Sequence, residues 1–82
     1  VYEILPLQEW VGKSVRQTDI RANYHVNILG IKQGEHTDFV VHPDYCIRQD
    51  DHLIVMGNNK DIMPVLERLD RKMTQYSHSK RH

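Results

Sequence analysis

A polar cluster of Asp19, Arg21, Asn23 and Asn27 lies in the stretch TDIRANYHVNILGI, from Thr18 to Ile31. Arg21 carries a planar guanidinium that can grip a phosphate through two parallel hydrogen bonds. Asn27 offers an amide donor and an acceptor together, the pair that an adenine edge takes. Ile20 and Ala22 flank the arginine, and with Pro43 they can wall a flat ring. His42 can donate to a phosphate or stack on a base. The same types equally suit an ordinary surface. Arg21 could pair with Asp19 or a neighbouring acid, which contributes little. Asn27 could point outward from a half-exposed strand, and Pro43 could simply end a strand.

Other groupings carry less chemistry. His42, Cys46 and His52 are metal-capable types, but their spacing matches no closed zinc pattern and a further ligand would be needed. Asp50-Asp51 reads as a polar turn, because side chains of adjacent residues diverge. Cys46, between Tyr45 and Ile47, reads as packed or half-buried, with no histidine-asparagine arrangement to activate it. GNNKDI lacks the further glycines of a dinucleotide fingerprint and reads as a turn and a capped helix. No nucleophile-base pair is spaced for catalysis, so the expectation is a protein that is no enzyme, without catalytic residues, bound metal or cofactor.

Eighty-two residues allow one small domain with a marginal core, and such domains often pair. Lys plus Arg (11) equal Asp plus Glu (11), so the formal net charge is zero and a nucleic-acid partner is not expected. The single cysteine excludes an internal disulfide and fits a reducing, cytoplasmic setting. No apolar run approaches the roughly 20 residues that span a bilayer, so direct membrane insertion is not expected. The chain opens at Val1, which suggests a piece of a longer protein.

The elements that must position these residues follow from periodicity. VYEILPL (Val1–Leu7) reads as a strand that ends near Pro6. Gln8–Val15 reads as a turn with Trp10 and Val15 packed inward. A short helix is expected over Thr18–Tyr24, capped by Thr18 or Asp19. At Val26 the period changes to two, giving a strand to Lys32 with Val26, Ile28 and Gly30 on one face and Asn27, Leu29 and Ile31 on the other. Gln33-Gly34-Glu35 turns into a third strand, His36–Val41, broken by Pro43-Asp44. His52–Met56 is the fourth strand. Asn59 caps a helix over Lys60–Met73, whose stripe is Ile62, Val65, Leu66 and Leu69. The domain is expected over residues 1–73, with 74–82 a polar, fraying tail. The order β-α-β-β-β-α implies an α+β domain, helices packed on a mostly antiparallel sheet.

WVGKSV, DIRANY running into VNILGIKQG, the HP of FVVHPDYCI, and DDHLIVMGNNKDI occur in that order. Together, over roughly Tyr2–Leu69, they resemble the C-terminal domain of RCK regulators, the TrkA-C domain, and in particular the gating subunits of Ktr-type potassium transporters. Asp50-Asp51 stands where that family usually has Gly-Asp, so Asp51 takes the place of the family aspartate. The resemblance implies a two-fold homodimer that regulates potassium transport, attached to an N-terminal nucleotide-binding domain or a membrane transporter. Some members bind cyclic di-AMP at the dimer interface, which implies that ligand here. It points to Ile20, Arg21, Ala22, Asn27, His42 and Pro43. Other members have no known ligand there, and a purely structural dimerisation module is the alternative.

Overall fold

The structure is a computed structural model and describes residues 1–69. The expected end of the last helix at Met73 and the tail over 74–82 lie outside the described residues. The elements are β1 (Tyr2–Ile4), a 3-10 turn (Gln8–Trp10), α1 (Val15–Thr18), α2 (Ile20–Tyr24), β2 (Asn27–Gln33), β3 (His36–Asp38) and β4 (His52–Met56). A third helix, α3, runs through residues 59–69. The sheet order is β1-β4-β2-β3, with every neighbouring pair antiparallel. The α+β class and the antiparallel sheet follow the sequence pattern.

β1 is shorter than the expected Val1–Leu7. Its alternation holds, with Ile4 buried and Glu3 exposed, but pairing stops before Pro6, which has no amide to give a ladder. The Leu7 carbonyl instead accepts the Trp10 amide at 2.9 Å, and this 3-10 turn buries the Trp10 ring.

The single helix expected over Thr18–Tyr24 is two helices, and its cap lies upstream. Ser14 Oγ accepts the Gln17 amide at 3.1 Å, and Gln17 Oε1 accepts the Ser14 amide at 2.9 Å, which is a capping box. The Thr18 hydroxyl is spent on the Val15 carbonyl at 2.6 Å. Asp19 caps nothing with its side chain; at φ 47° it breaks the helix, a conformation that aspartate tolerates better than most residues.

In β2 the register shifts between Ile28 and Gly30, a bulge at Leu29. Ile28 therefore faces Val55 and Ile31 faces Leu53, both on the core side, while Gly30 faces Ile54 on the other. The expected alternation fails at that bulge, which moves Ile31 into the core and Gly30 out of the Ile28 face. Gly34, at φ 60°, opens the two-residue turn into β3. β3 stops at Asp38, not Val41, where the Asp38 carboxylate accepts the Val40 amide at 2.9 Å and replaces a ladder bond.

The core lies on one face of the sheet. Ile4, Ile31, Leu53 and Val55 meet Trp10, Ile20 from α2, and Ile62 and Val65 from α3. Each such side chain gains about 1.5–3 kcal/mol on burial. Leu66 and Leu69 pack at the margin, so Ile62 and Val65 centre the α3 stripe.

Candidate functional site

The loop carrying His42 and Pro43 is held against the start of α1. A four-residue helix leaves its first amides without intrahelical partners. Here Val15 donates to the Tyr45 carbonyl at 3.0 Å and Arg16 to the Pro43 carbonyl at 2.8 Å. Gly12 donates to Ile47 at 2.8 Å, Ile47 donates to Lys13 at 2.9 Å, and Ser14 bridges Cys46. The Tyr45 amide donates to the His42 carbonyl at 3.0 Å, closing a turn with Pro43 and Asp44 at its corners. Arg16 Nη2 lies 3.5 Å from Asp44, an exposed pair.

A buried carboxylate secures the far side of this loop. Asp51 is 1% exposed. Its Oδ2 accepts the Tyr45 hydroxyl at 2.7 Å and the Arg48 amide at 2.9 Å, and its Oδ1 accepts Gln33 Nε2 at 3.0 Å. The same Gln33 Nε2 donates to the Tyr45 hydroxyl oxygen at 2.7 Å. Burial alone would raise the Asp51 pKa; the hydrogen bonds from Tyr45, Arg48 and Gln33 outweigh it and hold the carboxyl below its ordinary 3.8. Burial, followed by the bond to Asp51, pushes the Tyr45 phenol up to about 12. Sequence reasoning missed this convergence: residue types read Asp50-Asp51 as a polar turn, and the resemblance gave Asp51 the place of the family aspartate without its partners. It also missed the capping box, although Ser14-x-x-Gln17 is legible as one.

A second carboxylate network joins the 3-10 turn to two helices. Arg68 Nη1 donates to Glu9 Oε2 at 3.0 Å, and Arg68 Nη2 and the Tyr24 hydroxyl also bond Glu9. These bonds, from Arg68 first and Tyr24 next, lower the Glu9 pKa to about 2. The Tyr24 ring meets Trp10 edge-on at 5.2 Å.

The six residues singled out in the sequence are not equivalent. Arg21 and Ala22 are exposed on α2, and Arg21 forms no ion pair among the described residues, so the expected surface pairing with Asp19 is not made. Asn27 is exposed at the start of β2, opposite Met56. His42 and Pro43 are exposed on the loop. Ile20 differs from the other five: at 3% exposure in the single chain it packs into the core and anchors α2.

Two clefts lie near the set without gathering it. A cleft of about 250 Å³ beside β3, floored by Ile31, Gln33 and Tyr45, includes His42 alone of the six. Another, of about 200 Å³ between α2 and α3 around Tyr24, Pro64 and Val65, includes none. Among the described residues no three His, Cys, Asp or Glu side chains are placed to hold a metal ion, and no helix is long and apolar enough to cross a membrane.

The chain matches the model of the TrkA-C domain family over residues 1–70. It is 36% identical over 64 residues to the Ktr system potassium uptake protein A of Bacillus subtilis (strain 168), a match over 76% of this chain and 28% of that protein, so it spans well under half of the relative's length. Its fold is similar to the RCK C domain of the potassium transport protein KtrA, solved in complex with cyclic diadenosine monophosphate. The TM-score is 0.68 at 30% identity, over 87% of this chain and 79% of that one. It is also similar to the RCK_C domain dimer of BusR from S. agalactiae in complex with c-di-AMP. There the TM-score is 0.61 at 25% identity, over 70% of this chain and 73% of that one.

Proposed function

We propose, from the premise that this chain belongs to the TrkA-C domain family, that it is the regulatory domain of a Ktr-type potassium uptake system and that its two-fold dimer binds cyclic di-AMP. The family is regulatory and non-catalytic. The observation that carries the ligand reading is the likeness in fold and sequence to the KtrA domain solved with that nucleotide. The ligand has two adenines and two phosphates, so one set of residues used twice across a two-fold axis can match it. In this reading Arg21 takes a phosphate and Asn27 an adenine edge. Ala22 and Pro43 wall the ring, and His42 donates to a phosphate or stacks. Placing these residues at a seam between two copies agrees with their exposure.

The mechanism is linkage. A nucleotide that binds one arrangement of the dimer better than another shifts the attached transport system by that difference in affinity. The attached part is an N-terminal nucleotide-binding domain or the membrane transporter itself. The domain works on the cytoplasmic side, without inserting into the bilayer and without nucleic acid.

Calorimetric titration with cyclic di-AMP, with cyclic di-GMP as control, tests the reading. Arg21→Ala should weaken binding by about 1.5–3 kcal/mol, the range for a hydrogen bond to a charged group. Asn27→Ala should narrow the preference for adenine over guanine, whose edge differs. Absence of binding at high micromolar cyclic di-AMP sinks the ligand reading. A structural dimerisation module of the transport system would then stand in its place.

A further inference from the structure

Asn23 belongs to the polar cluster around Arg21 but has no part in the nucleotide reading. It lies on α2, a helix of five residues, far too short to hold itself in water. Left-handed residues bound that helix at both ends, Asp19 at φ 47° and His25 at φ 58°. The orientation of such a segment is set by what its side chains grip. At about 100° per residue, Ile20, Asn23 and Tyr24 share one side of α2, and Arg21 and Ala22 fall on the other. The gripping side is well attached. Ile20 is in the core. Asn23 Nδ2 reaches back across the Asp19 break and donates to the Thr18 carbonyl at 3.1 Å. The Tyr24 ring stands edge-on to buried Trp10, and its hydroxyl bonds Glu9, which Arg68 of α3 holds from the other side.

We infer that Asn23 and Tyr24 are positioning residues for the nucleotide site, which aim Arg21 without touching the ligand. The inference rests on the nucleotide-binding reading above and adds what orients its phosphate-gripping residue. Arg21 forms no ion pair among the described residues, so its direction comes from the backbone that carries it. The Asn23 bond also sets α2 against the other half of the site. Thr18 ends α1, and the start of α1 holds the Pro43 carbonyl through the Arg16 amide at 2.8 Å. Release of either grip lets α2 turn, so that only a fraction of chains present Arg21 correctly, and apparent affinity falls by that fraction. In a two-fold complex the loss acts twice.

Calorimetric titration of cyclic di-AMP into the 82-residue chain tests this. Tyr24→Phe keeps the ring against Trp10 and removes the bond to Glu9. Asn23→Ala removes the bond to Thr18 and keeps a good helix former. Each should weaken binding about fivefold to thirtyfold. Far-UV circular dichroism should be unchanged, with a ligand-free melting temperature within about 5 °C of the wild type. Added to Arg21→Ala, each should cost less than about twofold more, because a residue that acts through Arg21 has nothing left to aim. Affinities equal to that of the wild type would overturn the inference. Losses that multiply in the double variants would overturn it too, since they would mark ligand contacts or general supports of the fold. Should either variant not fold, Glu9→Ala decides, because it frees Tyr24 from a neighbouring element. A fall in affinity that vanishes in the Arg21→Ala background supports the inference, and an unchanged affinity overturns it. A wild type that binds no cyclic di-AMP removes the nucleotide reading and this role together. A wild type that binds, with the variants equal to it, removes this role alone.

Discussion

Asp51 and Glu9 each tie together segments far apart in the chain, and they do so in opposite surroundings. Asp51 is buried, and its direct donors are the uncharged Tyr45 hydroxyl, Gln33 amide and Arg48 backbone amide. The Glu9 side chain is 40% exposed and is held chiefly by the Arg68 guanidinium, itself 42% exposed. Both carboxyls have lowered pKa values, for different reasons. At Asp51 hydrogen bonds overcome a desolvation penalty. At Glu9 a cation and a phenol act where water still competes. The lowered pKa alone does not rank them; burial decides how much each bond is worth.

The strongest way to break the comparison is Asp51→Ala. It strands three donors in a poorly hydrated place, and urea denaturation should show a loss of about 2–4 kcal/mol. A loss below about 1 kcal/mol would mean that water replaces the carboxylate freely and that the two networks are alike. Because the network holds the segment after His42–Pro43, nucleotide affinity should fall with it if the ligand reading is right.

Acid should separate the two carboxylates next. Glu9 is lowered from 4.5 to about 2, so its contribution is fully present above pH 4.5 and is lost as pH falls toward 2. Asp51 is lowered from 3.8, so its contribution is present above 3.8 and is lost as pH falls through its still lower folded value. Tyr45 runs the other way. Raised from 10.0 to about 12, it contributes below pH 10.0 and loses that contribution as pH rises toward 12. Melting temperature against pH for wild type, Glu9→Gln and Asp51→Asn should show these windows. In about 1 M salt the Glu9 part should shrink and the Asp51 part should persist.

The smallest effect is expected for Glu9→Gln near neutral pH. A surface ion pair of this kind contributes about 0–1 kcal/mol. The loss should be measurable only at low salt, and equal losses in low and high salt would show that the Glu9–Arg68–Tyr24 network is shielded from solvent after all.

Much of the fold was legible along the chain. β4 and the Ile62/Val65 face of α3 follow from period and turn residues, and Gly34 marks the hairpin turn. The Ser14-x-x-Gln17 box was equally legible; of the two caps expected instead, the Thr18 hydroxyl bonds the Val15 carbonyl and the Asp19 side chain caps nothing. The Leu29 bulge was not legible, because it depends on how β2 meets β4. For the same reason alternation misassigned Gly30 and Ile31. In the candidate site, Arg21, Ala22, Asn27, His42 and Pro43 are exposed, while Ile20 packs into the core. A short helix with one apolar residue before a polar run does not announce which side the rest of the molecule will cover.

By itself the sequence determined the α+β class, the family, and the residue types able to meet a phosphate and a base, because local period, turn chemistry and motif order are properties of neighbouring residues. Tertiary structure decided the rest. Gln33, Tyr45 and Asp51 converge only when the β2 hairpin end and the segment before β4 fold together, so a carboxylate that reads as a polar turn becomes a buried anchor. The uncovered face of the sheet likewise arises only when β4 and β2 pair around a bulge and the helices take the opposite side. Both depend on contacts between segments distant in the chain, which no local pattern encodes.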